Sequence, residues 1–255
     1  MDFHLLDDQL ILQTSATGGD RFNTLSGRFF THPFSYDSQF GHSVERVRAM
    51  IGVRGNIASR FRYDLQGGYA RWTYAPVEGM ALYDISVVDP NPSDTYTVGL
   101  TEQVVLRPAL WEKGFNLLFV DLDYGWKSES MTVDGKLSYR HTNINETGAF
   151  APAAFTGFIR PAYNYGERMK GGLDIAWSTG RKATATYADY SNGRSITNAY
   201  RLPGWVDLGV FAEYRFTHRF GFWAKGGNLL NQVVQRTPIH AEAGMYFTGG
   251  IVLNF

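Results

Sequence analysis

The chain has 255 residues, no cysteine and a formal net charge of zero, with 24 basic and 24 acidic side chains. A neutral chain has no general electrostatic attraction to a polyphosphate, so nucleic acid is not an expected partner. The lack of cysteine excludes disulfides, cysteine-ligated metals and thiol nucleophiles. A hydrophobic content of 44% with 19% charged residues is that of a chain that folds.

The amino-terminal segment carries no predicted element. Residues 1–10 include Asp2, Asp7 and Asp8 and lack a basic stretch, so we expect no secretory signal peptide within this chain. No run approaches the roughly 18 uninterrupted apolar residues of a membrane-spanning helix, which excludes a helical membrane protein. Residues 1–26 show no clear pattern, and residues 27–255 are predicted to form the folded domain.

Apolar and polar side chains alternate with a period of two along much of the chain, which indicates β-strands with two unlike faces. The longest window is 206–216, and 46–54, 61–69 and 118–126 repeat the pattern. Helical spacing explains none of these windows as well, so the sequence predicts an all-β antiparallel fold of about ten to twelve strands. The predicted strands are 27–36, 44–54, 60–73, 96–107, 114–127, 133–141, 157–166, 169–178, 182–190, 204–216, 219–228 and 243–255.

Strand and loop lengths favour a transmembrane β-barrel. The predicted strands approach or exceed the roughly nine to eleven residues that a tilted strand needs to cross a bilayer. Tight connectors are predicted at 55–59, 178–181 and 217–219, and long polar connections at 75–95, 191–203 and 231–242. Such alternation is typical of outer-membrane barrels. Five aromatic residues near predicted strand ends are expected to sit at the lipid headgroups: Tyr187, Tyr190, Trp205, Tyr214 and Trp223.

The environment that each face contacts is not determined by periodicity alone, which fits two arrangements equally well. In a membrane barrel the apolar face meets lipid and the polar face lines the lumen, whereas a soluble barrel buries its apolar face inside. If the barrel reading holds, six charged residues are predicted to face the lumen: Arg46, Arg48, Arg54, Arg62, Asp121 and Asp123. Pairing of the arginines with Glu45, Asp64 or neighbouring carboxylates is favoured over a site for an anionic solute.

The final strand gives the most specific signal in the sequence. Apolar residues occupy alternate positions up to an aromatic carboxyl terminus, at Phe247, Ile251, Leu253 and Phe255. Outer-membrane proteins resemble this pattern, because their assembly machinery recognises an amphipathic last strand that ends in phenylalanine. We therefore predict that these four residues form an assembly signal.

Residues 202–255 resemble the carboxyl-terminal end of a TonB-dependent outer-membrane receptor, particularly of the Bacteroidetes type. The resemblance rests on Leu202-Pro203-Gly204-Trp205, on Asn228-Leu229-Leu230-Asn231-Gln232 after a strand, and on the ending 249–255. The motif Asn228, Leu229, Leu230 and Asn231 is expected to be structural, with the asparagines in a turn that favours left-handed geometry. Gly226 and Gly227 are expected where the strand bends.

What the resemblance implies is a receptor barrel that takes up a ligand such as a siderophore, a glycan or a peptide. Implied partners are outer-membrane lipid, the barrel assembly machinery, an unknown small ligand, and an amino-terminal receptor portion whose plug domain connects to TonB. Family receptors have about twenty-two strands, so this chain holds about half of such a barrel and shows no plug domain. Two alternatives remain: a small structural or adhesion barrel without transport, and a soluble β-barrel binding module.

No catalytic or metal chemistry is predicted. The common nucleophile, zinc-protease, phosphate-binding and dinucleotide-binding motifs are missing, and the six histidines are far apart in sequence. Asp121 and Asp123 share the polar face of one predicted strand, but no histidine partner is evident for acid–base work. The sequence therefore predicts a protein that is not an enzyme and needs no cofactor.

Overall fold

The computed structural model describes residues 2–5, 9–22, 42–84, 104–144, 149–166, 168–189, 194–236 and 240–253. These residues contain thirteen strands and no helix that is long and apolar enough to cross a membrane. The strands are β1 (Asp2–Leu5), β2 (Leu10–Phe22), β3 (His42–Ile57), β4 (Phe61–Asp84), β5 (Val104–Lys127), β6 (Met131–Thr142), β7 (Phe155–Tyr165), β8 (Met169–Ser178), β9 (Arg181–Asp189), β10 (Arg194–Leu202), β11 (Trp205–Arg215), β12 (Phe220–Gly227) and β13 (Tyr246–Leu253).

Eleven of these strands form one antiparallel sheet, which confirms the predicted all-β fold class. Neighbours in sequence are neighbours in the sheet, except that β8 pairs with β11. The two strands between them, β9 and β10, pair only with each other and form a separate hairpin. Within the described residues the sheet is not closed, since β1 and β13 lie at its two ends and do not pair with one another.

The two faces of the sheet differ as the alternation predicts. On one face the large apolar side chains are exposed; Ile51 of β3 and Ile251 of β13, for example, have exposed fractions of 58% and 59%. The opposite face carries the charged side chains, several of them half-buried in ion pairs. The described residues therefore do not bury this apolar face in a core of their own.

The connections divide between the two edges of the sheet. Turns at 58–60, 128–130 and 216–219 lie at one edge, together with residues 166 and 168, and we call this the short-turn edge. The described residues 143–144, 149–154, 228–236 and 240–245 and the β9–β10 hairpin lie at the other, the long-loop edge. At 58–60 the turn residues Ala58 and Ser59 have φ values of 50° and 55°, which suits a tight hairpin whose twist matches its strands.

Several predicted boundaries are wrong. Residues 2–5 and 10–22 form β1 and β2 of the main sheet, although no element is predicted before residue 27. The predicted strand 27–36 lies outside the described residues. Of the predicted loop 75–95, residues 75–84 continue β4, and residues 85–95 lie outside the described residues. Residues 104–107 of the predicted strand 96–107 and the predicted strand 114–127 belong to the single strand β5, and 96–103 lie outside the described residues. These long strands pair with each other from Phe61–Trp126 to Asp84–Val104.

Further corrections concern the region between β8 and β11. The predicted transmembrane strand 182–190 belongs to the separate hairpin, and residues 194–202 of the predicted loop 191–203 form its second strand. The predicted tight turn 178–181 is not a turn: the β8–β11 pairing ends at Ser178–Trp205 and the β9–β10 pairing begins at Arg181–Leu202. Trp205 and Trp223 lie on the polar face, opposite their neighbours Val206 and Phe222, and so they do not point at lipid headgroups.

Aromatic rings cover several glycines of neighbouring strands, which explains why these strands tolerate glycine. The ring of Trp177 in β8 lies where a side chain at Gly157 in β7 would project, and the ring of Tyr124 in β5 covers Gly135 in β6 in the same way. Such cross-strand pairs fill the gap that a missing side chain leaves and shield the backbone.

We expect Gly157→Ala to lower the free energy of unfolding by about 1–3 kcal/mol, the usual cost of overfilling a packed site. The added Cβ would overlap the Trp177 ring and lie 2.8 Å from the carbonyl oxygen of Lys136. Gly171→Ala in β8 is the matched control, because its Cβ would meet its nearest neighbour at an ordinary 3.5 Å. Urea unfolding of both variants measures the difference, and equal stabilities would contradict the packing argument.

Candidate functional site

The polar face of the sheet forms a wall of ion pairs that contains five of the six predicted lumen residues. Arg48 bonds Glu45 at 2.7 Å, Arg54 bonds Asp2 at 3.2 Å and Arg62 bonds Asp134 at 3.3 Å. Two of these partners, Asp2 and Asp134, differ from the carboxylates that the sequence suggests. Asp64 instead accepts a hydrogen bond from Gln66.

Asp121 and Asp123 of β5 each meet a cation of β6. Arg140 donates to both oxygens of Asp121 at 2.8 Å, and Ser138 donates to the same carboxylate at 2.6 Å. Lys136 bonds Asp123 at 2.9 Å. One guanidinium nitrogen of Arg140, Nη2, donates to both oxygens of Asp121, and the Ser138 hydroxyl adds a third hydrogen bond that fixes the carboxylate. Both aspartates are therefore held as structural anions between strands.

Arg46 is the one predicted lumen residue that departs from the simple alternation. The pairing of β3 with β4 shifts between Glu45 and Val47, so that Arg46 is the extra residue of a β-bulge. Its guanidinium donates to the hydroxyl of Thr73 at 2.7 Å. A bulge changes the phase of the alternation, which is why counting by twos groups Arg46 with Arg48 incorrectly.

Two guanidinium groups enclose one buried ring in the middle of the wall. The Cζ atoms of Arg48 and Arg140 lie 5.2 and 5.7 Å from the ring centroid of Phe119. Phe119 itself is almost fully buried, as is Glu45, the partner of Arg48. Cation–π contacts of this kind add to the ion pairs and hold the long side chains flat along the wall.

The ion pairs continue across the sheet to its other strands. Asp174 of β8 accepts from Arg160 of β7 at 2.9 Å and lies 3.4 Å from Lys225 of β12. Arg215 and Glu213 of β11 form a further pair at 2.7 Å. Arg160 and Lys225 thus share one carboxylate, and each cation of this group lies within ion-pair distance of a carboxylate.

The asparagine motif after β12 forms a compact turn. Asn228 and Asn231 have φ values of 47° and 49°, the left-handed region that asparagine tolerates. The Asn228 side chain donates to the carbonyls of Gln232 and Ala243 at 2.8 and 3.2 Å and accepts from the Gln232 amide at 3.0 Å. Its own amide donates to Asp207 at 2.9 Å, which ties the turn to β11.

The remaining motif residues complete this turn. Asn231 accepts from the amide of Met245 at 3.1 Å, and the amide of Leu229 donates to the carbonyl of Leu208 at 2.8 Å. The side chain of Leu229 lies over Gly226, whereas Leu230 is exposed. The turn therefore joins the start of the long segment 228–245 to its end and to β11.

The predicted assembly residues lie on the outward apolar face at the edge of the sheet. Phe247, Ile251 and Leu253 of β13 are all strongly exposed, on the same face as Phe222 of β12. Phe255 lies outside the described residues. The described part of β13 therefore has the two-faced character that the sequence predicts.

A pocket of about 500 Å³ opens on the polar face toward the long-loop edge. Hydroxyl and small side chains line it from β6, β7 and β8, among them Ser138, Thr156 and Ala176. Phe158 and Trp205 add aromatic surface, and its charged lining residues are Lys136, Arg181 and Arg236. The mix of hydroxyls, aromatic faces and fixed cations suits a polar ligand with an apolar face.

The carboxylates that pair with the cations of the pocket do not line it. The guanidinium of Arg236 stacks on Trp205 at 4.3 Å and bonds Glu242, with Asp207 at 3.9 Å. Arg181 bonds Glu78 of β4 at 2.7 Å and also donates to the carbonyl of Arg236. The pocket is thus rigidly framed and close to neutral.

Sequence reasoning missed this pocket. Glu78 and Arg181 are 103 positions apart, and both lie in or beside segments whose strand assignment was wrong. The Leu202-Pro203-Gly204-Trp205 run was noted only for its family resemblance, although Leu202, Pro203 and Trp205 all line the pocket. The one local signal that pointed here was the density of Gly, Pro and aromatic residues around 202–205.

The described residues contain no group of three or more metal-binding side chains. The carboxylates that the sequence offers for acid–base work, Asp121 and Asp123, lie in the ion pairs described above.

The antiparallel sheet has the fold of the barrel portion of TonB-dependent outer-membrane receptors. The copper transporter OprC is similar over 100% of this chain, with 10% sequence identity and a TM-score of 0.63. The siderophore receptor PirA from Acinetobacter baumannii is similar over 98% of the chain, with 10% identity and a TM-score of 0.64.

The ferripyoverdine receptor of the outer membrane of Pseudomonas aeruginosa is similar over 100% of this chain, with 10% identity and a TM-score of 0.61. The chain spans only 39%, 40% and 32% of the lengths of these three proteins, in the order given. No protein-family model matches the sequence, and comparison with curated proteins gives no match. The likeness is one of fold.

We expect Asn228→Gly to loosen the segment 228–245, because glycine keeps the positive φ but loses three side-chain hydrogen bonds at a site that is 2% exposed. Asn231→Gly is the matched control, since it also keeps its φ and loses the single bond to Met245. Hydrogen exchange at the Gln232 amide should accelerate much more in the first variant. Equal acceleration in both would show that the backbone alone holds the turn.

Proposed function

We propose that this chain is a portion of an outer-membrane receptor barrel that takes up a small ligand, in the manner of a TonB-dependent receptor. In this proposal the sheet supplies barrel wall and the long-loop edge faces the outside of the cell. The ligand is a siderophore, a glycan or a peptide, and the pocket near Trp205 contributes to its binding. The Bacteroidetes type is proposed on the sequence resemblance of 202–255 alone.

The observation that carries the proposal is the exposure of the apolar face. Eleven strands present aliphatic and aromatic side chains outward, while the ion pairs lie on the opposite face. Soluble monomers rarely expose apolar patches larger than a few hundred Å². Acyl chains are the solvent that such a face requires, and a polar interior behind it is the arrangement of outer-membrane barrels.

The open edges of the sheet support a larger assembly in the membrane. In hydrocarbon each unpaired backbone group costs several kcal/mol, so β1 and β13 need further strands beside them. A receptor portion with a plug domain, and through it TonB, is the partner we propose. The barrel assembly machinery is proposed to recognise β13 and the residues that follow it.

Cysteine labelling in intact cells tests the orientation. Because the chain has no cysteine, one introduced thiol is unique. We expect Val233→Cys, in the segment 228–245, to react with a membrane-impermeant maleimide on whole cells. Glu129→Cys, in the turn 128–130, should react only after the cells are lysed. Both positions are exposed, so accessibility within the protein is matched.

Labelling of Glu129→Cys but not of Val233→Cys on whole cells would show the opposite orientation in the membrane. If neither position were labelled in intact cells, the outer-membrane proposal would be wrong. Labelling after lysis with equal speed at both positions provides the control for reactivity.

Uptake measurements separate a receptor from a structural or adhesion barrel. We expect cells that produce the protein to accumulate at least one radiolabelled probe, from a panel of ferric siderophores, oligosaccharides and short peptides, faster than cells that lack it. Accumulation should stop when a protonophore collapses the proton gradient, because TonB-dependent transport is energised. Surface labelling without any energised uptake would favour the structural barrel.

A further inference from the structure

The apolar face of the sheet carries two basic side chains among its hydrophobic residues. Arg71 of β4 lies two residues after the exposed Tyr69 in an unbroken ladder, and it pairs with the exposed Val47 of β3. His141 of β6 pairs with the exposed Leu118 of β5. Directly paired residues place their side chains on the same face of a sheet. Arg71 and His141 therefore lie on the face that we propose contacts lipid.

Neither basic group is balanced within the described part of the chain. Arg71 and His141 are exposed, and neither forms an ion pair or a side-chain hydrogen bond with a described residue. The ion-paired wall on the opposite face differs, as the pair of Arg140 with Asp121 shows. A charge on a lipid-facing surface costs free energy unless it meets water or a counter-charge. The counter-charge for this pair of residues has to come from outside the described chain.

Asn116 of β5 lies between them and adds a further donor. It pairs directly with Arg71 and stands two residues before Leu118, the partner of His141. The Tyr69 hydroxyl donates to Oδ1 of Asn116 at 2.8 Å, and no described residue accepts a hydrogen bond from the NH2 group of Asn116. A guanidinium, an amide NH2 and an imidazole N–H all donate hydrogen bonds. Such a set of donors suits the oxygens of a phosphate.

The position of Arg71 along its strand matches the boundary of a bilayer. From Phe61 to Arg71 the strand β4 advances ten residues, which is about 33 Å of extended chain. At the tilt of about 40° that barrel strands have, this length rises about 25 Å, the height of the apolar band of an outer-membrane protein. Phe61 adjoins the turn 58–60 at the short-turn edge. Arg71 therefore falls at the opposite boundary of the band, where lipid headgroups lie.

We propose that Arg71, Asn116 and His141 bind the phosphate of a membrane lipid in the leaflet nearer the long-loop edge. A lipid fits this place better than a free anion, because the face continues below it in apolar side chains that acyl chains can cover. Leu65 of β4 and Val120 of β5, for example, are each 44% exposed. The inference rests on the proposed function, since it requires the apolar face to lie in a membrane, and it names one lipid chemistry that this face selects.

Electron paramagnetic resonance of spin-labelled lipids tests the site. The full chain is held in micelles of a nonionic detergent that contain either labelled phosphatidic acid or phosphatidylcholine with the same label, and the motionally restricted fraction of each lipid is measured. We expect phosphatidic acid to associate about fivefold more strongly, the factor that one basic side chain contributes beside an anionic lipid surface. High salt should weaken this preference, because it screens exposed charges.

Two substitutions at Arg71 separate charge from shape. Arg71→Gln should lower the ratio of the two association constants to near one, whereas Arg71→Lys, which keeps the charge, should retain most of the preference. Arg62→Gln is the matched control, because it removes the same charge from the same strand on the ion-paired face. Its ratio should equal that of the parent.

Equal association of the two lipids with the parent chain would overturn the phosphate site and leave the receptor proposal intact, because acyl chains would still contact the apolar face. An equal fall in the Arg62→Gln control would overturn it as well. Displacement of phosphatidic acid by inorganic phosphate at the same concentration would assign the donors to a free anion instead. Association of neither lipid would contradict the lipid-facing role of the apolar face, on which the receptor proposal also depends.

Discussion

A strand has two faces, and the ion pairs of the described residues of the sheet share one of them. This placement of the charged side chains determines what each face of the sheet can contact. Cations and carboxylates on neighbouring strands are brought within bonding distance, as at Arg140–Asp121 and Arg160–Asp174. The opposite face is left with aliphatic and aromatic side chains that water does not solvate well. The ion-paired face needs a polar environment and the opposite face needs an apolar one, so the sheet separates two different environments.

The ion pairs position side chains more than they stabilise the sheet. Most of them are partly exposed, and such pairs contribute about 1 kcal/mol or less. Their effect is to hold long, flexible groups in fixed places along the wall and around the pocket. Arg236 illustrates this, since Trp205 supports one face of its guanidinium while Glu242 fixes its direction. A pocket framed in this way keeps its shape without a thick hydrophobic core behind it.

The strand faces could be predicted from sequence because residues 206–216 alternate without interruption, and the asparagine turn because Asn228 and Asn231 carry their own hydrogen-bonding groups. The bulge at Arg46 could not, since one inserted residue leaves no local mark. The predicted loop 75–95 contains Pro76, and Pro108 lies between the predicted strands 96–107 and 114–127. Both prolines fit in β4 and β5 because they lie beyond the residues that pair with β3 and β6. Glu78 lies in the part of β4 beyond the predicted strand end at residue 73, so its contact with Arg181 could not be predicted.

The reach of the β4–β5 ladder has a mechanical consequence. Twenty-four residues at about 3.3 Å each span about 80 Å, roughly three times the height of a barrel's apolar band of about 25 Å. Much of this ribbon therefore extends beyond the pairing with β3 and β6, and around Glu78 it is bridged to residues 149–150 instead. A sideways force on this ribbon would act through the Glu78 carboxylate on Arg181, which lines the pocket. A displacement far from the bilayer would thereby reach the pocket.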